Sequence, residues 1–271
     1  MKVFYAKIRL ILIGLLFASA AWAEAPIVKT LPDSNPERVL LIGNSYLYYG
    51  DSLHNTLRRM VVADQPALEK KLQYKSATIG GASLDHHNID WLTTPGKIGV
   101  KEAFQVVVLQ GHSGAALSAK QADIHTKASK EAVRLIKSRG GQVALYMPHA
   151  YVPPHKQANP ENVKKNREFY VKLGNDIGAM VLPVGLAFEE AYKRYPGIKL
   201  HKSYDGSHPT RAGTYLAAAT CYAALYGKSP VGNAFDAFGE EDPITMRSVI
   251  SSTMTNFTRH VYIWQEVHFD F

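Results

Sequence analysis

The chain lacks the features that would cross-link it covalently or hold it in a membrane. It has one cysteine among 271 residues, so no internal disulfide can form. That residue, Cys221, lies on an apolar helical stripe and is interpreted as a small buried hydrophobe. No apolar run reaches the ~20 residues that a membrane-spanning helix needs. Internal repeats and low-complexity tracts are also missing, which excludes repeat and fibrous architectures.

Acidic residues are fewer than basic ones, but this excess of positive charge does not indicate a nucleic-acid partner. The formal net charge is +8, and three of the basic residues lie in positions 1–23, where there is no acidic residue. Without that segment the charge is +5. Basic pairs at 70–71, 164–165 and 193–194 are typical of solvated helix faces, and no aromatic recognition motif accompanies them.

The first 23 residues have the order of a cleaved secretory signal. Basic residues precede an apolar stretch at positions 10–17, and the small residues of Ala21-Trp22-Ala23 close the segment. An uncleaved anchor is the less favoured alternative, because the apolar stretch is short. We therefore expect cleavage near Ala23 and a secreted or periplasmic protein without stable membrane insertion.

The length after position 23 is sufficient for one domain with a sizeable core. Positions 24–36 contain three prolines and are predicted to form a surface lead-in. Positions 37–228 form the predicted body of the domain. Positions 229–271 are predicted to be a helical extension packed on that body, with a last helix at about 242–262.

Apolar runs alternate with helical spacings along the body. Apolar runs predict buried strands at 38–42, 73–79, 104–110, 142–146 and 180–183. Helices are predicted at 52–62, 118–139, 159–173 and 186–195, followed by one that Pro209 opens and whose stripe covers 212–226. This alternation predicts an α/β fold with a parallel sheet of about five strands, covered on both faces.

Two distant segments together supply the parts of a serine hydrolase. Gly43-Asn44-Ser45 directly follows the first predicted strand, and Asp205-Gly206-Ser207-His208-Pro209 lies on a late loop. A serine hydroxyl is a poor nucleophile unless a histidine removes its proton and a carboxylate orients that histidine. Sites in such folds gather beyond the carboxyl ends of strands, where Ser45 is expected to lie. The pattern predicts a Ser45–His208–Asp205 triad.

Four segments in this order resemble the four blocks of the SGNH/GDSL hydrolases. They are Ile-Gly-Asn-Ser at 42–45, Gly-Gly-Ala-Ser at 80–83, Leu-Gln-Gly-His-Ser at 109–113 and Asp-Gly-Ser-His-Pro at 205–209. The resemblance implies a flavodoxin-like three-layer α/β/α sandwich that hydrolyses esters without a metal or other cofactor. It also implies that Ser45 is the nucleophile, His208 the general base and Asp205 the group that orients it.

In this family three donors form the oxyanion hole, which stabilises the tetrahedral intermediate. They are the serine N–H, a glycine N–H of the second block and an asparagine side chain of the third. The N–H groups of Ser45 and Gly81 match the first two. The third block here has no asparagine, and His112 stands in its place, with Gln110 or Ser113 as substitutes. Asn44 replaces the family's usual aspartate, which takes no part in the chemistry.

Two other serines are less favoured nucleophiles. Ser52 belongs to a literal Gly-Asp-Ser-Leu at 50–53, but it lies at the start of a predicted helix, where serine is a common cap. Ser113 lies in a segment that approximates the Gly-x-Ser-x-Gly elbow of α/β-hydrolases. In that fold the acid and the histidine come from separate loops, whereas Asp205 and His208 are three residues apart.

Residues close to these motifs are candidates for substrate contacts. Tyr46 and Tyr49 follow the predicted nucleophile, and His86 follows the second block. The alternative for the tyrosines is packing in the core. No spaced set of carboxylates or cysteines accompanies the remaining histidines, so no metal site is predicted.

The predicted function is therefore a secreted serine esterase. The resemblance favours a short acyl group, such as acetyl, on a carbohydrate or another small molecule. A lipid ester or thioester hydrolase is the alternative within the same chemistry. A non-catalytic glycan-binding relative is a second alternative, because the third block lacks its asparagine. A metal-dependent phosphoesterase that uses the histidines is a third. The oligomeric state stays open.

Overall fold

The computed structural model describes residues 24–235, 237–238, 248 and 252–255. The predicted secretory signal at 1–23 and most of the predicted helix at 242–262 lie outside the described residues. The strands are β1 (Arg38–Gly43), β2 (Gln73–Thr78), β3 (Val106–Leu109), β4 (Gln142–Tyr146) and β5 (Met180–Leu182). The helices are α1 (Ser45–Tyr48), α2 (Leu53–Asp64), α3 (Ile89–Thr93), α4 (Ala119–Ser138), α5 (Asn162–Ile177), α6 (Val184–Arg194) and α7 (Arg211–Tyr226).

The five strands form one parallel sheet in the order β2-β1-β3-β4-β5. Helices cover both faces of this sheet, so the predicted three-layer α/β fold is confirmed. The strand order reverses between β1 and β3, and the helices that follow these two strands, α2 and α4, pack in the cores on opposite faces of the sheet. A crevice at such a switch point is the usual ligand site of an open parallel sheet.

The side chains of β1 alternate between the two hydrophobic cores. Val39 and Leu41 pack into the core formed with α2, α6 and α7, whereas Leu40 and Ile42 pack into the core formed with α4 and α5. This alternation explains why β1 is apolar without interruption, since both of its faces are buried. Cys221 is buried in α7, as predicted.

Some predicted boundaries are wrong for local reasons. Helix α5 begins at Asn162 and not at position 159, because the Asn159 side chain accepts the Glu161 N–H at 2.9 Å and forms a turn. Helix α7 begins at Arg211, after Thr210, whose side chain caps the Gly213 N–H at 3.1 Å. Pro209 precedes this cap and does not open the helix.

Two described segments outside the sheet and its helices, residues 24–37 and 252–255, pack against the domain. Residues 24–37 contain no helix or strand, and the Pro36 carbonyl accepts the Tyr226 hydroxyl at 2.8 Å. Residues 252–255 are helical, and Met254 is buried in the core that contains α7. Among the described residues, no helix has both the length and the apolar character needed to cross a membrane.

Candidate active site

Ser45 is the first residue of α1, and only Asn44 separates it from the end of β1. Asn44 is the N-cap of this helix, and its side chain accepts the Tyr46 N–H at 3.2 Å. The first N–H groups of a helix have no acceptor within the helix. The N–H of Ser45 is therefore not used by α1. The serine is 8% exposed.

The structure brings Ser45 together with the two residues of the distant loop. The Ser45 hydroxyl and the His208 Nε2 are 2.9 Å apart, and the His208 Nδ1 and the Asp205 Oδ2 are 2.6 Å apart. A carboxylate oxygen can only accept, so the Nδ1 of a neutral His208 carries the hydrogen. Its Nε2 is then the acceptor for the Ser45 hydroxyl, which is the arrangement that general-base activation of a serine requires.

The carboxylate of Asp205 is stabilised by the loop that carries it. Burial opposes ionisation of this carboxyl, but hydrogen bonds from the Ser207 N–H, the His208 ring and the His208 N–H together lower its pKa. The two N–H groups lie 2.8 Å and 3.0 Å from Oδ1, which leaves Oδ2 for the His208 ring. Asp205 is therefore a fixed, ionised acceptor at neutral pH.

Gly206 allows this loop to pass close to the β4–α5 connection. Its φ is +62°, and a Cβ at this position would lie 2.0 Å from the Val152 carbonyl oxygen. The Val152 N–H donates to the Gly206 carbonyl at 2.9 Å. A residue with a side chain cannot occupy this position without displacing the segment between Asp205 and His208.

Asn44 fixes the loop of the serine to its two neighbours. Its Nδ2 donates to the Ala82 carbonyl at 2.9 Å and to the Gly111 carbonyl at 3.0 Å. These carbonyls belong to the loops after β2 and β3, so one buried amide joins three loops at this edge of the sheet. Nothing in the sequence predicts this positioning role, because there Asn44 only replaces an aspartate that takes no part in the chemistry.

The Gln110 side chain is buried and connects the loop after β1 to the loop after β3. Its Oε1 accepts the Asn44 N–H at 2.8 Å, its Nε2 donates to the Gly111 carbonyl, and the side chain is 1% exposed. A Cβ at Gly43 would lie 2.4 Å from this Oε1, so the amide fits only beside a glycine. Its donor is thus directed into the loop, which does not favour Gln110 as an oxyanion donor.

His112 has a defined tautomer in the loop after β3. The Gly114 N–H donates to its Nδ1 at 3.1 Å, so the hydrogen of the neutral ring is on Nε2. Burial lowers the pKa of His112, which keeps the ring neutral at pH 7. The neighbouring Ser113 shares its hydroxyl with the Tyr151 hydroxyl at 2.8 Å. The Ser113 hydroxyl is thus already paired, whereas the loop accepts no hydrogen bond from the Nε2–H of His112.

The other predicted site residues fall at different depths. Gly81 is exposed, has a φ of +68°, and has nothing within 4 Å of the place that a Cβ would occupy. His86 is exposed on the turn Leu84–His86, and its contact with a substrate stays a prediction. The half-buried Ser52 precedes α2, and its hydroxyl is directed at the Tyr48 carbonyl at 3.5 Å.

The two tyrosines predicted to contact the substrate behave differently. The Tyr46 ring is buried at 2% exposure, and its hydroxyl is 2.9 Å from the Ser207 hydroxyl. Tyr46 therefore lies beneath the site, which favours the alternative of packing in the core, and its contact with a substrate stays a prediction. Tyr49 is half-buried and stacks on the His208 ring, with centroids 4.2 Å apart and planes 22° apart.

The described residues do not gather three or more histidines, cysteines or carboxylates in a group that could hold a metal ion. An open cleft lies beside Asp205, and it is bordered by Pro154, His155, Lys156 and Gln157. The His155 ring stacks on Tyr151 with a centroid separation of 3.7 Å. The space next to Asp205 is thus open to solvent, and both polar side chains and a proline border it.

No protein-family model and no curated protein matches this chain. Among solved structures, it is similar to a DUF4886 family protein from Bacteroides uniformis, with 18% identity, a TM-score of 0.60 and coverage of 80% of this chain and 93% of that one. It is also similar to a protein from Slackia heliotrinireducens whose name assigns it to the SGNH hydrolases, with 21% identity, a TM-score of 0.56 and coverage of 70% and 99%.

A third similar structure is the acetyl xylan esterase AlAXEase, with 18% identity, a TM-score of 0.54 and coverage of 69% of this chain and 98% of that one. At these identities the likeness establishes the fold alone. This chain has the three-layer fold of the SGNH hydrolases, and the fold that its four motifs implied is confirmed.

The close approach at Gly206 predicts that Gly206→Ala destabilises the protein. The positive φ costs an alanine about 1–2 kcal/mol, and the clash with the Val152 carbonyl adds about 1–3 kcal/mol. Gly227→Ala is the matched control, because Gly227 has a φ of +61° and nothing within 4 Å of a Cβ. Urea unfolding should show the larger loss in free energy of unfolding for Gly206→Ala. Equal losses would contradict the steric account.

Proposed function

We propose that this protein is a serine esterase in which Ser45 is the nucleophile, His208 the general base and Asp205 the group that orients His208. The observation that supports this assignment is the continuous hydrogen-bond chain from the Ser45 hydroxyl through the His208 ring to Asp205, at 2.9 Å and 2.6 Å. The chain lies at the carboxyl edge of a parallel sheet, where such folds place their chemistry.

In the proposed reaction, the Ser45 oxygen attacks the ester carbonyl carbon while its proton passes to the His208 Nε2. Asp205 stabilises the imidazolium that forms and stays ionised itself. His208 then donates the proton to the leaving alcohol as the tetrahedral intermediate collapses to an acyl-serine. Water, deprotonated by the same ring, attacks the acyl group and releases the acid and free Ser45.

We assign the oxyanion hole to the N–H groups of Ser45 and Gly81 and to the Nε2–H of His112. Asn44 joins the loops that carry all three donors, since it belongs to the first and bonds to carbonyls of the other two. The neutral His112 ring carries its hydrogen on Nε2, so it offers one N–H where the family has an asparagine amide. Donors arranged before the reaction stabilise the developing negative charge without reorganisation.

The proposed triad predicts that Ser45→Ala, and separately His208→Ala, each reduce kcat by at least ~10⁴-fold. Hydrolysis of p-nitrophenyl acetate measures this, and thermal unfolding checks that each variant is folded. Ser113→Ala and Ser52→Ala are matched controls and should retain turnover, because neither hydroxyl contacts a histidine among the described residues. Turnover retained in Ser45→Ala and lost in Ser113→Ala would move the nucleophile to the loop after β3.

The proposed oxyanion hole predicts that His112→Ala lowers kcat by ~10²-fold, because one donor to the oxyanion is lost. KM should change little, since the donor acts mainly on the transition state. His112→Asn restores an N–H donor of the type that the family uses, so it should recover part of the lost rate. An unchanged kcat in His112→Ala would remove His112 from the oxyanion hole.

We further propose that the substrate is a short-chain ester, with acetyl on a carbohydrate as the favoured case, met outside the cytoplasm after removal of residues 1–23. The cleft beside Asp205 is open and has a lysine, a glutamine and a histidine at its border, which suits a hydroxylated alcohol group. A long acyl chain would need an enclosed apolar channel to bury its methylenes. One similar structure is named as an acetyl xylan esterase.

A panel of p-nitrophenyl esters of increasing chain length, measured beside acetylated oligosaccharides, tests this substrate class. We expect kcat/KM to be highest for acetyl and to fall with each added methylene, because an open cleft does not enclose a longer acyl chain. Acetate release from acetylated oligosaccharides should be detectable at the same enzyme concentration. A kcat/KM that rises with chain length would instead favour a lipid ester as the substrate.

A further inference from the structure

His149 is a buried histidine in the loop that follows β4, outside the proposed catalytic residues. The sequence places it beside a proline-rich loop at the cleft edge, but the structure buries it at 1% exposure. Its ring lies between the rings of Tyr46 and Phe188. The centroid separations are 4.4 Å and 4.3 Å, and the planes are 3° and 9° apart. The ring is therefore held between two aromatic faces and cannot tilt.

The same ring also contacts the loop of the proposed general base. The His149 Nε2 lies 2.9 Å from the Ser207 carbonyl oxygen. A carbonyl can only accept, so the hydrogen of the neutral ring is on Nε2. The Tyr46 hydroxyl and the Ser207 hydroxyl are 2.9 Å apart. Tyr46, which stacks on the His149 ring, is therefore also hydrogen-bonded to Ser207. Tyr46 and Ser207 adjoin Ser45 and His208 in the chain, so His149 touches the neighbours of both.

A second buried histidine makes the reverse connection between the same two loops. The His201 Nε2 donates to the Ala150 carbonyl at 3.0 Å, and its Nδ1 accepts the Tyr192 hydroxyl at 2.6 Å. The two histidine rings meet edge to face, with centroids 4.7 Å apart and planes 82° apart. The loop after β4 and the loop before α7 are thus joined by two ring-to-carbonyl hydrogen bonds in opposite directions.

Both rings stay neutral at the pH where the proposed chemistry runs. Burial lowers the pKa of His149 well below its ordinary value, and the neighbouring His201 adds to this effect. Burial lowers the pKa of His201 to about 4. The tautomers that donate to the two carbonyls are therefore the forms present at pH 7.

We propose that His149 is a positioning residue that sets the distance between the Ser45 hydroxyl and the His208 ring. It stacks on the residue after Ser45 and holds the carbonyl of the residue before His208. A displacement of ~1 Å between reacting groups can reduce a rate by ~10²-fold. The proposal rests on the proposed function, because it assigns His149 a role through Ser45 and His208.

His149→Phe keeps a flat ring between Tyr46 and Phe188 and removes the donor to Ser207. We expect kcat for p-nitrophenyl acetate to fall by about 10–100-fold with KM nearly unchanged. His149→Gln should recover most of kcat, because its amide can reach the Ser207 carbonyl. His149→Asn is too short to reach it and should not recover. Equal kcat values for His149→Gln and His149→Asn would overturn the proposal, even if His149→Phe does not fold.

A spectroscopic measurement separates this proposal from the proposed function. The proton between the His208 Nδ1 and Asp205 should give a far-downfield proton resonance that reports the alignment of the loop without any substrate. The signal should be weakened or shifted in His149→Phe and retained in His149→Gln. It should also be retained in Tyr192→Phe, which removes a hydrogen bond from the same buried cluster without touching Ser207. If wild-type protein hydrolyses no ester, the proposed function fails while this resonance still tests His149.

An unchanged resonance together with a wild-type kcat in folded His149→Phe would overturn the positioning role. A general loss of packing predicts a different pattern. In that case His149→Gln, His149→Asn and Tyr192→Phe would lose thermal stability and kcat in parallel, and the resonance would not follow the presence of a donor to Ser207.

Discussion

The hydrogen bond between the Ser45 hydroxyl and the His208 ring is the interaction on which the account of this protein depends. It joins two residues that are 163 positions apart in the chain, and it exists only if the end of β1 and the loop before α7 are held at a fixed separation. The sheet supplies the first part of this constraint, because strands β1 and β3 are parallel neighbours and end at the same edge. Buried polar side chains supply the rest.

These polar side chains form hydrogen bonds with the main chain of the loops. Asn44 and Gln110 hold the loops after β1, β2 and β3 together through carbonyl and N–H groups, and Asp205 organises its own loop in the same way. A buried donor or acceptor without a partner is costly, so each of these contacts disfavours alternative loop positions. Gly43 and Gly206 make these contacts sterically possible. A side chain at Gly43 would clash with the Gln110 amide, and one at Gly206 would clash with the Val152 carbonyl.

The sequence was most informative where one local pattern determines one structure. The apolar runs of the strands, the cap at Ser118 and the spacing from Asp205 to His208 are patterns of this kind, and β4 has the predicted bounds. Helix α1 was not predicted, because four residues are too few to show a helical period. The sequence did not distinguish the buried Tyr46 from the half-buried Tyr49, because the burial of each ring depends on how α1 packs. The roles of Asn44 and His149 were missed for a related reason: their partners are carbonyls and rings from distant segments, which no spacing in the sequence indicates.

The central claim is that the Ser45 hydroxyl is activated by His208, and covalent labelling tests it most directly. A fluorophosphonate reacts with an activated serine, and mass mapping of the digested protein identifies the residue that carries the adduct. We expect a single adduct on Ser45 in the wild-type protein and none in the His208→Ala variant. A folded wild-type protein that takes up no label, or that carries the adduct on Ser113 or Ser52, would contradict it.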